Sequence, residues 1–204
     1  MPGWHPNIDG RGITRHIEPD RWTDTWTVEG LTEQQKLRST ATHEAAHAVL
    51  MSLARVPVLS ITVCTYSDLK YCDAGSMGAV DIGPYDTDLL QLCHALAAGE
   101  RAEECLLRES GLWSVDRAWT VERHASSDRH EIATVIRKHS SQILTYGQSE
   151  DWNDLATIHR NTDATIARHW APIRELADEL VVHRQLTAER VQDITKIPNP
   201  APPA

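Results

Sequence analysis

The chain has 204 residues, 41% hydrophobic and 24% charged, enough for one compact domain with a core that needs no disulfide staples. Its formal net charge of -9 argues against nucleic acid as a partner, because binding phosphates requires clustered Lys and Arg. No run approaches the roughly 18 apolar residues of a membrane span, and Met1 to Arg15 contains no apolar stretch that would make a secretory signal; the expected compartment is the cytoplasm.

Residues 1–30 are rich in Pro, Gly, Trp and charge without a period, and read as an irregular arm. Trp4, Trp22 and Trp26 are expected to pack on the domain's own core or on a partner. From Thr32 and Glu33 to Ala54 there is neither Gly nor Pro, and Leu37, Ala41, Ala45, Ala48 and Leu53 form a helical stripe that Pro57 closes. Val58 to Thr65 is β-branched and reads as a strand, followed after a polar loop by a second from Met77 to Ile82. Asp86 opens a helix expected to run to Leu106 and to end near Gly111, with Gly99 inside it as the mark of a close neighbour. Residues 112–125 read as irregular. Ser126 or Ser127 caps a helix expected to reach Tyr146, with Gly147 as its stop. Trp152 to Val182 reads as helix kinked by Pro172, and Thr187 caps a last helix ending near Ile194. The working domain is thus 31–197, with a frayed Pro-rich tail at 198–204.

The segment His43-Glu44-Ala45-Ala46-His47 fits H-E-x-x-H. Residues four apart share one helix face, so both imidazoles can reach one ion. Glu44 is rotated by about 100° from its neighbour, which sets its carboxylate beside the metal, where it can take the proton of a water attacking a carbonyl. The bland alternative is a helix that merely shows two surface histidines. The helical context and the small Ala45 and Ala46 favour zinc, because small residues suit a helix pressed against a neighbour. A catalytic zinc needs a third protein ligand, and on the residues alone Glu100, Glu103, Glu104, Asp116, His124 and Asp128 stay open. His94, His124 and His130 read as surface or hydrogen-bonded histidines. Cys64, Cys72, Cys93 and Cys105 include no C-x-x-C pair and read as buried thiols rather than a Cys64–Cys72 zinc site.

Thr40 to Val49 resembles the zinc helix of the FtsH-type peptidase family, which typically reads H-E-A-G-H-A. Ile61-Thr62-Val63 and Gly78 to Ile82 look like its next strands. Ala97-Ala98-Gly99-Glu100-Arg101-Ala102-Glu103-Glu104 resembles its L-x-G-G-R-A-A-E-E helix, and Ala125-Ser126-Ser127-Asp128 its A-S-N-D signature. Tyr146 to Glu150 and Leu186-Thr187-Ala188-Glu189-Arg190 follow in matching order, so the resemblance spans about Leu31 to Ile197. It implies that Asp128 is the third zinc ligand and leaves Glu103 or Glu104 to orient a zinc histidine. The departures are Ala46 for the usual Gly of the zinc motif, Glu100 for a Gly, and Ser127 for an Asn; none removes a ligand or the base.

The expected fold is mainly α within the α+β class: a zincin-like helical domain with a zinc helix, a small two- or three-stranded β element and a C-terminal helical bundle. The expected function is zinc-dependent hydrolysis of peptide bonds in unfolded or flexible polypeptides, with His43, His47 and Asp128 as ligands and Glu44 as general base. The family's ATPase module and membrane spans have no counterpart in these residues, which leaves open a homo-oligomer or a separate unfolding partner. The rivals are a catalytically silent metal-binding or interaction protein and a hydrolase of small amides.

Overall fold

In the computed structural model, which describes residues 3–8, 12–19, 30–65 and 77–201, the arm carries a short antiparallel pair, His5–Pro6 (β1) with Ile13–Thr14 (β2). The expectation of an irregular arm is corrected to that extent. The pair holds because its polar groups find partners: Thr14 Oγ1 donates to Asn7 Oδ1 (3.0 Å), which also accepts from Trp119 Nε1 (3.1 Å). Trp4 packs on the chain's own residues, edge-on to Tyr146 at 5.5 Å; Trp22 and Trp26 lie outside the described residues.

Helix α1, Glu33–Leu53, starts at a reciprocal capping box between Thr32 and Gln35. Beyond its first turns it is buried nearly all round, with Ala41, Ala45, Ala46, Ala48 and Val49 at 0% exposure. Each large side chain buried in this way contributes about 1.5–3 kcal/mol. The alanines let α1 sit at the centre, against elements on every side.

Strand β3, Val58–Val63, pairs antiparallel with β4, Gly78–Ile82, through a bulge between Val58 and Ser60. The other edge of β3 is closed by β5, Gln185–Thr187, giving the order β4-β3-β5. The fold is therefore mainly helical with a small antiparallel sheet, and β4 lies at the sheet's edge.

The helix expected from Asp86 is two helices. Asp88 caps α2, Leu89–Leu96, and α3 runs over Ala98–Glu109, with Ala97 ending one and starting the other. Residues 112–125 are not irregular: Ser114 caps α4, Val115–His124, whose buried face mixes Ala118, Trp119 and Val121 with Thr120 and Glu122, so no apolar period announces it. Helix α5, Ser126–His139, has Ala125 at its N-cap with no capping side chain, in place of the expected serine. It also ends seven residues before Tyr146, because Asp154 gathers the following loop. The Asp154 carboxylate accepts from Thr145 Oγ1 (2.8 Å) and from the amides of Gly147 and Gln148 (2.9 Å each). Such side-chain acceptors compete with a continuing helix.

Asp154 also caps α6, Leu155–His183, which kinks at His169, three residues before Pro172. Thr187 then caps α7, Ala188–Thr195. Helix α1 packs against α2, α3, α6, β3 and β4, so it is the shared core element. No helix among the described residues is long and apolar enough to cross a membrane. Cys93 and Cys105 are free, but Cys64 is disulfide-bonded, which corrects the expectation of a thiol there. Only three-dimensional proximity decides that pairing; Cys72 lies outside the described residues.

Candidate metal centre

Helix α1 carries His43 and His47 on one face, and the first turn of α5 brings Asp128 to meet them. The two Nε2 atoms lie 2.9 Å apart, and Asp128 Oδ2 lies 3.3 Å from His43 Nε2 and 3.5 Å from His47 Nε2. These three side chains form a group that can hold a metal ion, with their ligand atoms all within 4.8 Å of one another.

The far side of each ring fixes its orientation. His43 Nδ1 meets Glu103 Oε1 at 2.7 Å, and Glu103 in turn accepts from Ser39 Oγ at 2.7 Å. His47 Nδ1 meets the Ala95 carbonyl at 2.8 Å. A carboxylate and a carbonyl accept only, so both Nδ1 atoms carry hydrogen and each ring, when neutral, turns an Nε2 lone pair inward. Two lone pairs and a carboxylate facing one another at these distances repel unless a proton or a cation lies among them. The donor set of two imidazole nitrogens and a carboxylate oxygen therefore fits a divalent metal such as zinc.

The titration behaviour has the same cause. Burial disfavours charge on His43, yet the carboxylates of Asp128 and Glu103 outweigh it and hold its pKa well above the ordinary value. Burial would raise Asp128, but His47 and His43 hold it well below the usual carboxylate range. Burial pushes Glu44 up, against the pull of both histidines.

Close packing explains two glycines. A Cβ on Gly99, at the start of α3, would overlap the His43 ring, so the close neighbour expected of Gly99 is His43 itself. A Cβ on Gly78 would stand 2.5 Å from Glu44 Oε1, so strand β4 begins directly against the proposed base. The break at Ala97 also has a consequence here, because the last turn of α2 offers the Ala95 carbonyl to His47.

The site opens into a cleft of about 1060 Å³ lined by β4, by Met51 and Leu96, by the start of α5, and by Gly12, Ile13 and Thr14 of the arm. The other acids weighed as third ligand lie elsewhere. Glu100 and Glu104 pair with arginines, and Asp116 is exposed in the first turn of α4. His124 and His130 line the cleft, while His94 is half-buried, with its pKa lowered by burial. Sequence reasoning did not identify Ser39 or the Ala95 carbonyl. Ser39 stands one helical turn before His43, a spacing that could have flagged it; the carbonyl has no sequence signal. No family model matches the chain, and no curated protein matches it.

Proposed function

We propose that the chain is a zinc metallopeptidase that hydrolyses peptide bonds in unfolded or flexible polypeptides. One observation carries the reading: both Nε2 atoms of an H-E-x-x-H helix converge with Asp128, while Glu44 lines the same open cleft. Three protein ligands and an accessible remaining position suit a hydrolytic zinc site. His43, His47 and Asp128 would hold the zinc ion, which would supply Lewis acidity toward a water molecule and a substrate carbonyl.

The chain's own residues supply the rest. Glu103 and the Ala95 carbonyl keep the histidine rings turned inward. Glu44 takes the proton of the attacking water and passes it to the leaving amine, a two-way role served by a carboxyl pKa that burial raises above its ordinary value. Among the described residues β4 pairs with β3 alone, so an extended peptide can add as a further strand along residues 79–82, next to the point where Gly78 packs on Glu44. Strand addition needs several consecutive residues without hydrogen bonds of their own, and this favours unfolded substrates over folded ones. The resemblance to FtsH-type peptidases supports the same assignment of His43, His47, Asp128 and Glu44. A cytoplasmic location belongs to this proposal too, and the Cys64 disulfide is the observation against it.

The test pairs elemental analysis with cleavage of casein peptides. Wild type should hold about one zinc per chain, Asp128→Ala should lose it, and Glu44→Gln should keep it while cleavage falls by about 10²–10⁴-fold. A wild type that takes up no zinc overturns the proposal. Zinc binding without peptide cleavage would move the small-amide hydrolase or the silent metal-binding protein ahead.

A further inference from the structure

Helix α5 presents Asp128 to the site, yet its own start is weakly anchored. Ala125 serves both as its N-cap and as the C-cap of α4, and no side chain caps it. Asp128 is 22% exposed at the side chain, and its ionic partners are the two histidines it must meet. The fixed point is the next residue. Arg129 is buried and forks onto both oxygens of Glu100, Nε to Oε2 and Nη2 to Oε1 at 2.7 Å each. Its remaining nitrogen, Nη1, donates to the Ile13 carbonyl of the arm at 2.5 Å, and Nη2 lies 3.4 Å from Glu122. Glu122 accepts from the Arg15 amide at 2.6 Å, so the same cluster holds the arm that lines the cleft.

We propose that Arg129 is a positioning residue for the metal ligand Asp128, and that through it Glu100 and the N-terminal arm take part in metal binding. The inference rests on the metal reading of His43, His47 and Asp128. Helix α3 then governs both halves of the site: Glu103 orients His43 on α1, and Glu100 holds Arg129, hence Asp128, on α5. Lysine cannot replace Arg129, because a single ammonium does not reproduce a planar fork onto two carboxylate oxygens. The link is reciprocal, so an ion at Asp128 tightens the arm as the docked arm tightens the ion.

The experiment measures zinc affinity by chelator competition, and the visible spectrum of the cobalt(II)-loaded full chain, for wild type, Arg129→Lys, Glu100→Gln and Arg101→Lys. Arg101, buried like Arg129, forks onto the half-exposed Asp163 on the side of α3 away from the histidines, so its variant reports what losing such a fork does to stability alone. Arg129→Lys and Glu100→Gln should bind zinc about 10–100-fold more weakly and shift the cobalt bands, whereas Arg101→Lys should do neither. Zinc should slow amide exchange at residues 13–15 in wild type but not in Arg129→Lys. Glu100→Gln keeps the side chain's shape and so covers the case in which Arg129→Lys does not fold. Affinities and spectra equal to those of Arg101→Lys would overturn the proposal, as would loss of the fold in both variants, which would make the pair purely structural. A wild type that binds neither metal overturns the metal reading itself, and this inference with it.

Discussion

Helix α3 separates two clusters of acidic side chains that are settled in opposite ways. On one side Glu100, Glu104, Glu122 and Asp163 meet Arg129, Arg101, Arg15 and Arg108, so each carboxylate has a permanent cation against it. On the other side Glu103 and Asp128 bond to Ser39, His43 and His47, groups with no fixed positive charge. Glu44 lies buried beside them, and the leading charges acting on it are those of His43, His47, Asp128 and Glu103. The first cluster is complete as it stands; the second depends on a proton or a bound cation for the positive charge at its centre. Each draws on about the same turn of α3, the first through Glu100 and Glu104 and the second through Glu103, so the difference lies in the partners rather than in the acids. A group of buried carboxylates is a candidate metal site when its partners are histidines and a structural hub when they are arginines.

That contrast can be broken experimentally, first on the arginine side. Glu104→Gln removes one acid from among Arg15, Arg101 and Arg108 and leaves cations underpaired in a buried place, at a cost of about 3–5 kcal/mol. Chemical denaturation at neutral pH should show this loss while the zinc content stays that of wild type. Loss of metal in this variant would mean that the link from the arginine side to the metal extends beyond Glu100 and Arg129 to Glu104. On the histidine side, Glu103→Gln should do the reverse. The fold should persist, and zinc affinity by chelator competition should drop about 10–100-fold as His43 loses its charged orienting partner.

Asp154 sharpens the comparison, since its carboxylate is satisfied by neither arginine nor histidine. Burial would raise its pKa, but hydrogen bonds from the Gln148 amide, the Thr145 hydroxyl and the Gly147 and Ala156 amides hold it below the usual value. A depressed carboxyl contributes stability that is full above the unfolded pKa of about 3.9 and is lost as pH falls through the lower folded value. Asp154→Asn should therefore cost about 1–3 kcal/mol at pH 7, and the difference from wild type should shrink in acid. A constant difference from pH 7 to pH 2 would show that the charge on Asp154 is not what organises the loop.

The parts of the molecule that were legible beforehand are those governed by local spacing. The α1 helix, both histidines and Glu44 follow from a four-residue interval inside a run free of Gly and Pro, and the β3 strand follows from its β-branched residues. Elements decided at a distance were not legible. Helix α4 buries Thr120 and Glu122 because the arm and Arg129 come to meet Glu122, which no window of sequence contains. Helix α5 stops at His139 because Asp154 organises the loop from the far side. The choice of Asp128 among six candidate ligands came from the family resemblance, since spacing alone does not say which helix start will face α1. Glu100 was weighed as a ligand, and its burial was foreseeable only with Arg129 known to be opposite.

The sheet carries a consequence for synthesis. Strand β3 is flanked by β4 soon after it in the chain, but its other edge waits for Gln185–Thr187, and the Val58 backbone is bonded on both its N–H and its C=O by the Asn199 side chain. A ribosome adding residues in order releases α1, with His43, Glu44 and His47, long before either of those covers has been made. Through that interval the open flank of β3 is a row of unpaired amides and carbonyls, available to any other extended chain. The segments that protect the nascent sheet thus emerge only after α2 to α6, and a product released before Gln185 would carry an intact H-E-x-x-H helix beside an exposed strand.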